Sequence, residues 1–274
     1  MLKRICFLSA FIIGLNAHAQ QGKFIQVWGG GQSTQINNSQ ESYYGGTSVD
    51  QVNLVETIRP MFGVDYIYNF HNYFGLQTGL IYSMQGQKYS GAVYKDGNDT
   101  TGNSPLTNIH YTSQVLLNYV KLPLLFRFNS GKEEDNIFDF SVYAGFQIAY
   151  LSAVQDVSTS PPPPAWMTAH PMNFRKFFNS VDFEWAAGFQ VNIFVSQYWG
   201  LAVGARYDRS LMDIESKNVI YDPAIIKAHG YPAEWFYPLS TKKTVTPSQD
   251  DQYDRFSSKN NTVGVYIGVF IPLQ

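Results

Sequence analysis

Apolar and polar residues alternate along eight segments of this chain, and the clearest segment runs from Val181 to Val195. Its odd positions are apolar or aromatic, whereas its even positions as far as Asn192 are charged, amide, glycine or alanine residues. Side chains on a β-strand point to opposite faces with period two. The segment therefore predicts a strand with one apolar and one polar face. The same alternation predicts strands near 23–35, 57–70, 73–89, 114–129, 137–152, 181–195, 198–212 and 261–273.

The links between these strands alternate in length. Three are short (71–72, 130–136 and 196–197) and four are long (36–56, 90–113, 153–180 and 213–260). Outer-membrane barrels have short periplasmic turns and long outside loops, and closure removes the strand edges that lipid cannot satisfy. We therefore predict an all-β fold, an eight-stranded antiparallel transmembrane β-barrel with short periplasmic turns, long extracellular loops and both termini in the periplasm.

The first 19 residues predict a secretory signal peptide. Lys3 and Arg4 form a basic start, a short apolar stretch follows, and Ala17-His18-Ala19 matches a cleavage site. The apolar stretch is shorter than the roughly 20 residues that a membrane helix needs. The barrel domain then spans 20–274, in the outer membrane of a Gram-negative cell. Cys6, the one cysteine, leaves with the leader, which excludes disulfides and thiolate chemistry.

Composition narrows the choice of partners. Charged residues make up 15% of the chain, aromatic residues 16%, and the net charge is −2. There is no basic tract, so nucleic acid is not an expected partner. The aromatic strand faces fit lipid. We expect contact with outer-membrane lipid and lipopolysaccharide, an extracellular or envelope protein as a further candidate partner, and a monomeric barrel.

The polar strand faces carry a balanced set of charges. An eight-stranded barrel is just wide enough for its side chains to fill the interior. We expect these charges to form a lumen network in which each base lies within ion-pair reach of an acid, leaving no open channel; a proton or ion path remains the alternative. The set is Arg59, Asp65, Lys121, Arg127, Asp139, Asp182, Glu184, Arg206 and Asp208.

The chain carries no motif that indicates catalysis. No two histidines have metal-ligand spacing, and no G-x-S-x-G, H-E-x-x-H or phosphate-cradling glycine motif occurs. Asp182 and Glu184 face the same way on one strand, as an acid–base pair would, but cations in the lumen explain them more simply. We expect neither an enzyme nor a metal or cofactor site.

Aromatic residues in two long links are the candidates for partner contact. Exposed aromatic side chains often mark interaction sites, although they also pack over a barrel mouth or sit at the level of lipid headgroups. The candidates are Trp166, Tyr231, Trp235, Phe236 and Tyr237.

The fourth predicted strand, Asn118 to Phe128, reads N-Y-V-K-L-P-L-L-F-R-F. It resembles the Y-L-E-I-P-L-L-L-K-Y strand of the PorT-like outer-membrane β-barrel family, with Arg127 at the basic position. Lys121 stands where that family commonly has glutamate. The resemblance implies a small outer-membrane barrel, some relatives of which are linked to protein secretion, and it implies no catalytic residue.

Three rival functions remain open at this stage. A secreted lipocalin-like carrier of a small ligand is also a two-faced barrel, but its charged face points outward. A lipid-modifying barrel enzyme would need a nucleophile and base at a strand rim. An accessory role in protein secretion rests on the resemblance alone. The interpretation that we favour is a structural or binding role through the extracellular loops.

Overall fold

The computed structural model describes residues 22–37, 53–95, 107–130, 137–160, 175, 178–216 and 257–273. These form nine strand segments and no helix that is long and apolar enough to cross a bilayer. The strands are β1 (Lys23–Asn37), β2 (Asn53–Val55), β3 (Thr57–Asn69), β4 (Phe74–Lys95), β5 (Thr107–Asn129), β6 (Phe138–Ser160), β7 (Val181–Phe194), β8 (Gly200–Ser210) and β9 (Lys259–Leu273).

The strands close into one antiparallel barrel. Each pairs with its neighbours in the order β4, β3, β1, β9, β8, β7, β6, β5, and the β4–β5 ladder completes the circle. The short β2 pairs with β4 and is separated from β3 only by Glu56, so β2 and β3 make one interrupted barrel strand. The barrel therefore has eight strands, which confirms the predicted fold.

The register fixes the tilt of the strands. Following the paired residues once around the barrel leads from Ile25 to Gln35, ten positions along the same strand. The shift is even, so the inward set remains inward after a full turn. For eight strands such a stagger gives a tilt of about 40°. Lys23 pairs with Leu273, so both ends of the described barrel lie beside the short turns. We call this the periplasmic end and the opposite one the external end.

Three strands are longer than the alternation predicts. β4, β5 and β6 have 22, 23 and 23 residues, and their pairing continues to Lys95↔Thr107 and Thr112↔Ser160. The assignment of 90–95, 107–113 and 153–160 to loops was therefore wrong. These segments lose clear alternation, but each has a neighbouring strand that takes up its backbone hydrogen bonds, and that pairing extends the strands.

The apolar faces form the outer wall. Side chains such as Leu124, Val265 and Phe140 are 64%, 65% and 60% exposed, whereas the charged residues Lys121 and Arg127 of β5 and Asp139 of β6 are buried inside. A soluble carrier barrel would place its faces the other way round. The lipocalin-like alternative is therefore excluded, since a wall of this kind is stable only against lipid.

Aromatic residues flank this wall at both ends. Phe74 lies 5.8 Å from Phe126 and 5.5 Å from Phe128, measured between ring centroids, beside the periplasmic turn at 71–73. Near the external end, Trp185 lies 5.2 Å from Tyr207. Such rings favour the boundary between hydrocarbon and headgroups, as in the aromatic girdles of outer-membrane barrels.

Candidate functional site in the barrel lumen

The inward faces fill the barrel with polar side chains that bond one another. Because inward positions recur at every second residue, each strand contributes several groups to the same narrow space. The structure buries eight of the nine charged candidates in the lumen: Asp65, Lys121, Arg127, Asp139, Asp182, Glu184, Arg206 and Asp208. Arg59 also points inward but is only partly buried.

Five residues form a closed ring near the external end, which we call the charged ring. Lys121 Nζ lies 2.7 Å from Glu184 Oε2 and 2.9 Å from Asp208 Oδ2. Arg206 Nε donates to Asp208 Oδ1 at 2.7 Å. Gln147 completes the circle by donating to Glu184 and accepting from Arg206. Two positive and two negative charges thus cancel, and the ring ties β5, β6, β7 and β8 together.

A second network occupies the periplasmic half. Arg127 donates to Gln77 at 3.1 Å, to Asn129 at 2.9 Å and to Ser141 at 2.8 Å. Gln77 also donates to Asp65 at 2.9 Å, and Asp65 accepts from the Trp28 indole at 2.6 Å. Every described acceptor of Arg127 is neutral.

Amide and phenol groups continue this network to the middle of the barrel. Asn192 donates to Asp139 at 3.2 Å and to Ser141 at 3.1 Å. Gln190 links Asn192 to Tyr266, whose hydroxyl lies 3.1 Å from that of Tyr143. These residues are missing from the candidate set because it contained charged residues alone. The sequence signal that could have identified these residues is their position, because they occupy the same alternate polar positions of the strands as the charged candidates.

The expected pairing of every base with an acid holds for Lys121 and Arg206 and fails for two other residues. Within the described ranges Arg127 has no acid within ion-pair distance, and Arg59 Nε has no hydrogen-bond partner. On the acidic side, Asp182 accepts from the Ser210 hydroxyl. Amides and hydroxyls also hydrogen-bond charged groups, and at Arg127 and Asp182 such neutral neighbours stand in place of the predicted ionic partners.

An apolar cluster closes the external end of the lumen. Its buried members come from three strands, β1, β5 and β6, and from the segments that precede β7 and follow β8; they are Ile36, Val115, Leu117, Tyr119, Ala149, Leu151, Phe178 and Ile214. We call this cluster the external plug. Packed side chains of this kind exclude water, so the charged ring lies beneath an apolar seal.

A cavity of about 450 Å³ lies at the other end of the barrel. We call it the periplasmic vestibule. Its rim includes His71 and Gln197 in the short turns, and its deeper lining includes Arg127, Asp139 and Asn192. The described lumen is therefore asymmetric, packed towards the outside and hollow towards the periplasm.

The loop candidates Trp166, Tyr231, Trp235, Phe236 and Tyr237 lie outside the described residues. Among the residues that are described, no group of three or more His, Cys, Asp or Glu side chains could hold a metal ion. The buried charges contact one another or amide, hydroxyl and indole groups.

Comparison with solved structures found several similar chains. The chain is similar to OprG from Pseudomonas aeruginosa (10% identity, 92% of this chain and 96% of that chain covered, TM-score 0.39). It is also similar to Neisserial surface protein A (7% identity, 91% and 97% covered, TM-score 0.38) and to the outer-membrane protein AlkL (12% identity, 94% and 93% covered, TM-score 0.37).

No curated protein matches the sequence. The family described as "Outer membrane protein beta-barrel domain" matches residues 11–216, which is most of the chain. The closed barrel, its apolar outer wall and its polar lumen are what membership of such a family requires. The chain therefore belongs to the outer-membrane protein β-barrel domain family and resides in the outer membrane.

Proposed function

We propose that this protein is a closed, non-catalytic outer-membrane barrel that acts by presenting its external segments to a partner outside the cell or in the envelope. The observation that carries the proposal is the asymmetry between the strands. β4, β5 and β6 have 22, 23 and 23 residues, while the strands on the opposite side of the barrel have 11 to 15.

The longer strands exceed what a membrane requires. A tilted transmembrane strand needs about 9–11 residues. β4, β5 and β6 stay paired to their external ends, so they support a three-stranded sheet beyond the barrel wall. This sheet is a rigid base for the segments that follow it, and binding segments on a rigid scaffold are the usual arrangement.

The lumen supports a role outside the barrel. The charged ring and the external plug fill the external half with buried side chains, which opposes steady conduction. On the outer wall, Arg209 of β8 pairs with Trp185 of β7, and Lys259 of β9 lies two residues beyond Asn261, the β9 partner of Arg209. Cations at headgroup level suit the phosphates of lipopolysaccharide, which we propose as a lipid partner.

All eight barrel strands are paired with two neighbours, so no free strand edge favours oligomerisation, and we propose a monomer.

An accessory role in protein secretion is a second candidate, and the resemblance of Asn118 to Phe128 to the PorT-like strand favours it. We place the chain in that group as a proposal. Lys121 occupies the position where the PorT-like family commonly has glutamate. In this barrel a glutamate at 121 would put three acidic groups in one buried site, because Glu184 and Asp208 are already there.

The test compares two kinds of variant in cells that lack the native gene. One variant lacks 220–250, and the other carries Arg206→Gln in the charged ring. Loop closure cost changes by only about 0.6 kcal/mol per doubling of length, so the trimmed barrel should still insert and still migrate faster on unboiled gels. We expect the trimmed chain to lose the phenotype of the native protein and Arg206→Gln to keep it.

Planar-bilayer recordings complete the test. We expect no large steady conductance from the native chain. Retained function after trimming, together with loss of function in an inserted Arg206→Gln barrel, would assign the activity to the lumen and refute the proposal.

A further inference from the structure

The periplasmic vestibule is a cavity that the proposed function does not use. At about 450 Å³ it falls within the size range of small-molecule sites. The external plug and the charged ring block it from the outside, so a ligand would enter from the periplasm. The vestibule is at the opposite end of the barrel from the external segments, so a ligand bound there is independent of any partner of those segments.

One wall of the vestibule is aromatic. Phe24 of β1 lies 5.9 Å from Phe270 of β9, and Phe194 at the end of β7 lies 5.1 Å from the same ring. Both pairs meet edge to face. All three rings line the cavity. Such a surface favours an apolar or aromatic group of a ligand.

The facing wall carries two opposite charges that do not pair with each other. Among the described residues, Arg127 donates only to the neutral groups of Gln77, Asn129 and Ser141. Asp139 accepts only from Ser130 and Asn192 among the described residues. Each charge is buried and has no counter-charge within ion-pair distance in the described part of the chain.

The two charges are a short distance apart. Ser141 accepts from Arg127 at 2.8 Å and from Asn192 at 3.1 Å, and Asn192 donates to Asp139 at 3.2 Å. Two intervening side chains thus separate the guanidinium from the carboxylate. A guanidinium has five N–H donors and a carboxylate has several acceptor sites, so both groups keep capacity for a ligand.

We propose that the periplasmic vestibule binds an α-amino acid or short peptide that has free ends and an apolar side chain. The ligand carboxylate contacts Arg127, its ammonium group contacts Asp139, and its side chain packs on the rings of Phe24, Phe194 and Phe270. Such a ligand supplies both missing counter-charges at once. Charge-assisted hydrogen bonds in a desolvated site are the strong ones.

The experiment titrates the full barrel, refolded in detergent, with four probes that share one ring. L-Phenylalanine has both charges, phenylpropionate only the carboxylate, phenethylamine only the ammonium group, and N-acetylphenylalanine amide neither. Calorimetry up to about 10 mM ligand should give one site for L-phenylalanine. Each probe that lacks one charge should bind about 10-fold more weakly, as expected for one lost charge-assisted contact, and the amide, which lacks both charges, should bind more weakly still.

Variants assign each charge to its wall residue. Arg127→Gln should weaken the binding of L-phenylalanine about 10-fold and leave the binding of phenethylamine unchanged. Asp139→Asn should also weaken the binding of L-phenylalanine about 10-fold, and it should leave the binding of phenylpropionate unchanged. Gln197→Trp at the exposed rim should obstruct entry without altering the charged wall, and Lys88→Gln at the external end is the matched control. Gel mobility before boiling verifies that each barrel folds.

No one-site binding of L-phenylalanine by the folded native barrel would overturn the proposal. Equal binding of all four probes, or binding that both charge variants leave unchanged, would overturn it as well. Either result would leave the external role untouched.

Discussion

Removing the charge of Lys121 is the sharpest test of the charged ring. Lys121 is fully buried, and its Nζ lies 2.7 Å from Glu184 Oε2 and 2.9 Å from Asp208 Oδ2. Methionine has a similar length and no charge. In Lys121→Met, Asp208 keeps Arg206 as a partner, whereas Glu184 keeps only the amide of Gln147. One carboxylate is then buried without a cation.

Removing one partner of a buried ion pair costs about 3–5 kcal/mol, because the remaining charge is left uncompensated. We expect Lys121→Met to lower the free energy of unfolding by that amount. Glu184→Gln should cost less, since Lys121 then keeps Asp208. The double variant should be more stable than the sum of the single effects predicts, by about 1–3 kcal/mol, because neutralising Glu184 removes the orphaned charge.

Urea titration in lipid vesicles, followed by tryptophan fluorescence and by gel mobility before boiling, measures these free energies. Lys88→Met is the control, since Lys88 is an exposed lysine on β4, and surface changes of this kind stay within about 0.5 kcal/mol. A loss for Lys121→Met no larger than that of the control, or strict additivity in the double variant, would refute the ion-pair reasoning.

Two further predictions use the same titration. Val203 lies on the outer wall between Val191 and Ile267, and Val203→Arg should lower the free energy of unfolding by about 2–4 kcal/mol if the site is near the bilayer midplane. Val181→Arg, at the external end of β7, should lower it by only about 0–1 kcal/mol. Equal losses would contradict the assigned depth. Gly188→Ala would place a Cβ against the Tyr143 hydroxyl and should cost about 1–3 kcal/mol, while Gly31→Ala, where a Cβ meets nothing within 4 Å, should be nearly neutral.

The sequence predicted which face of each strand points into the barrel. In β7 the alternation assigned Asp182, Glu184 and Gln190 to one side, and the structure buries all three. A one-residue slip would turn every side chain of a strand to the other face, so period two leaves little freedom where one face meets lipid and the other a filled interior. The alternation of short and long links likewise identified the periplasmic end, because hairpins need few residues.

The extent of the strands and the partners inside the lumen were decided by the tertiary structure. Lys121 meets Glu184 and Asp208, which are 63 and 87 positions away in the chain, and this meeting depends on the stagger of the whole barrel. Likewise, Arg127 bonds Gln77 and Ser141 because the register of β4, β5 and β6 puts those neutral groups beside it.

Alternation therefore predicts which face of the strand a residue occupies. It does not predict how high along the barrel axis that residue lies relative to residues on a distant strand. The stagger of ten positions around the barrel sets those heights. It determines which charges form the charged ring, and it leaves the vestibule charges of Arg127 and Asp139 unpaired within the described residues. The sequence by itself determined a two-faced barrel in a membrane, and only closure of the barrel decided which polar groups meet, since pairing across the lumen depends on all eight strands at once.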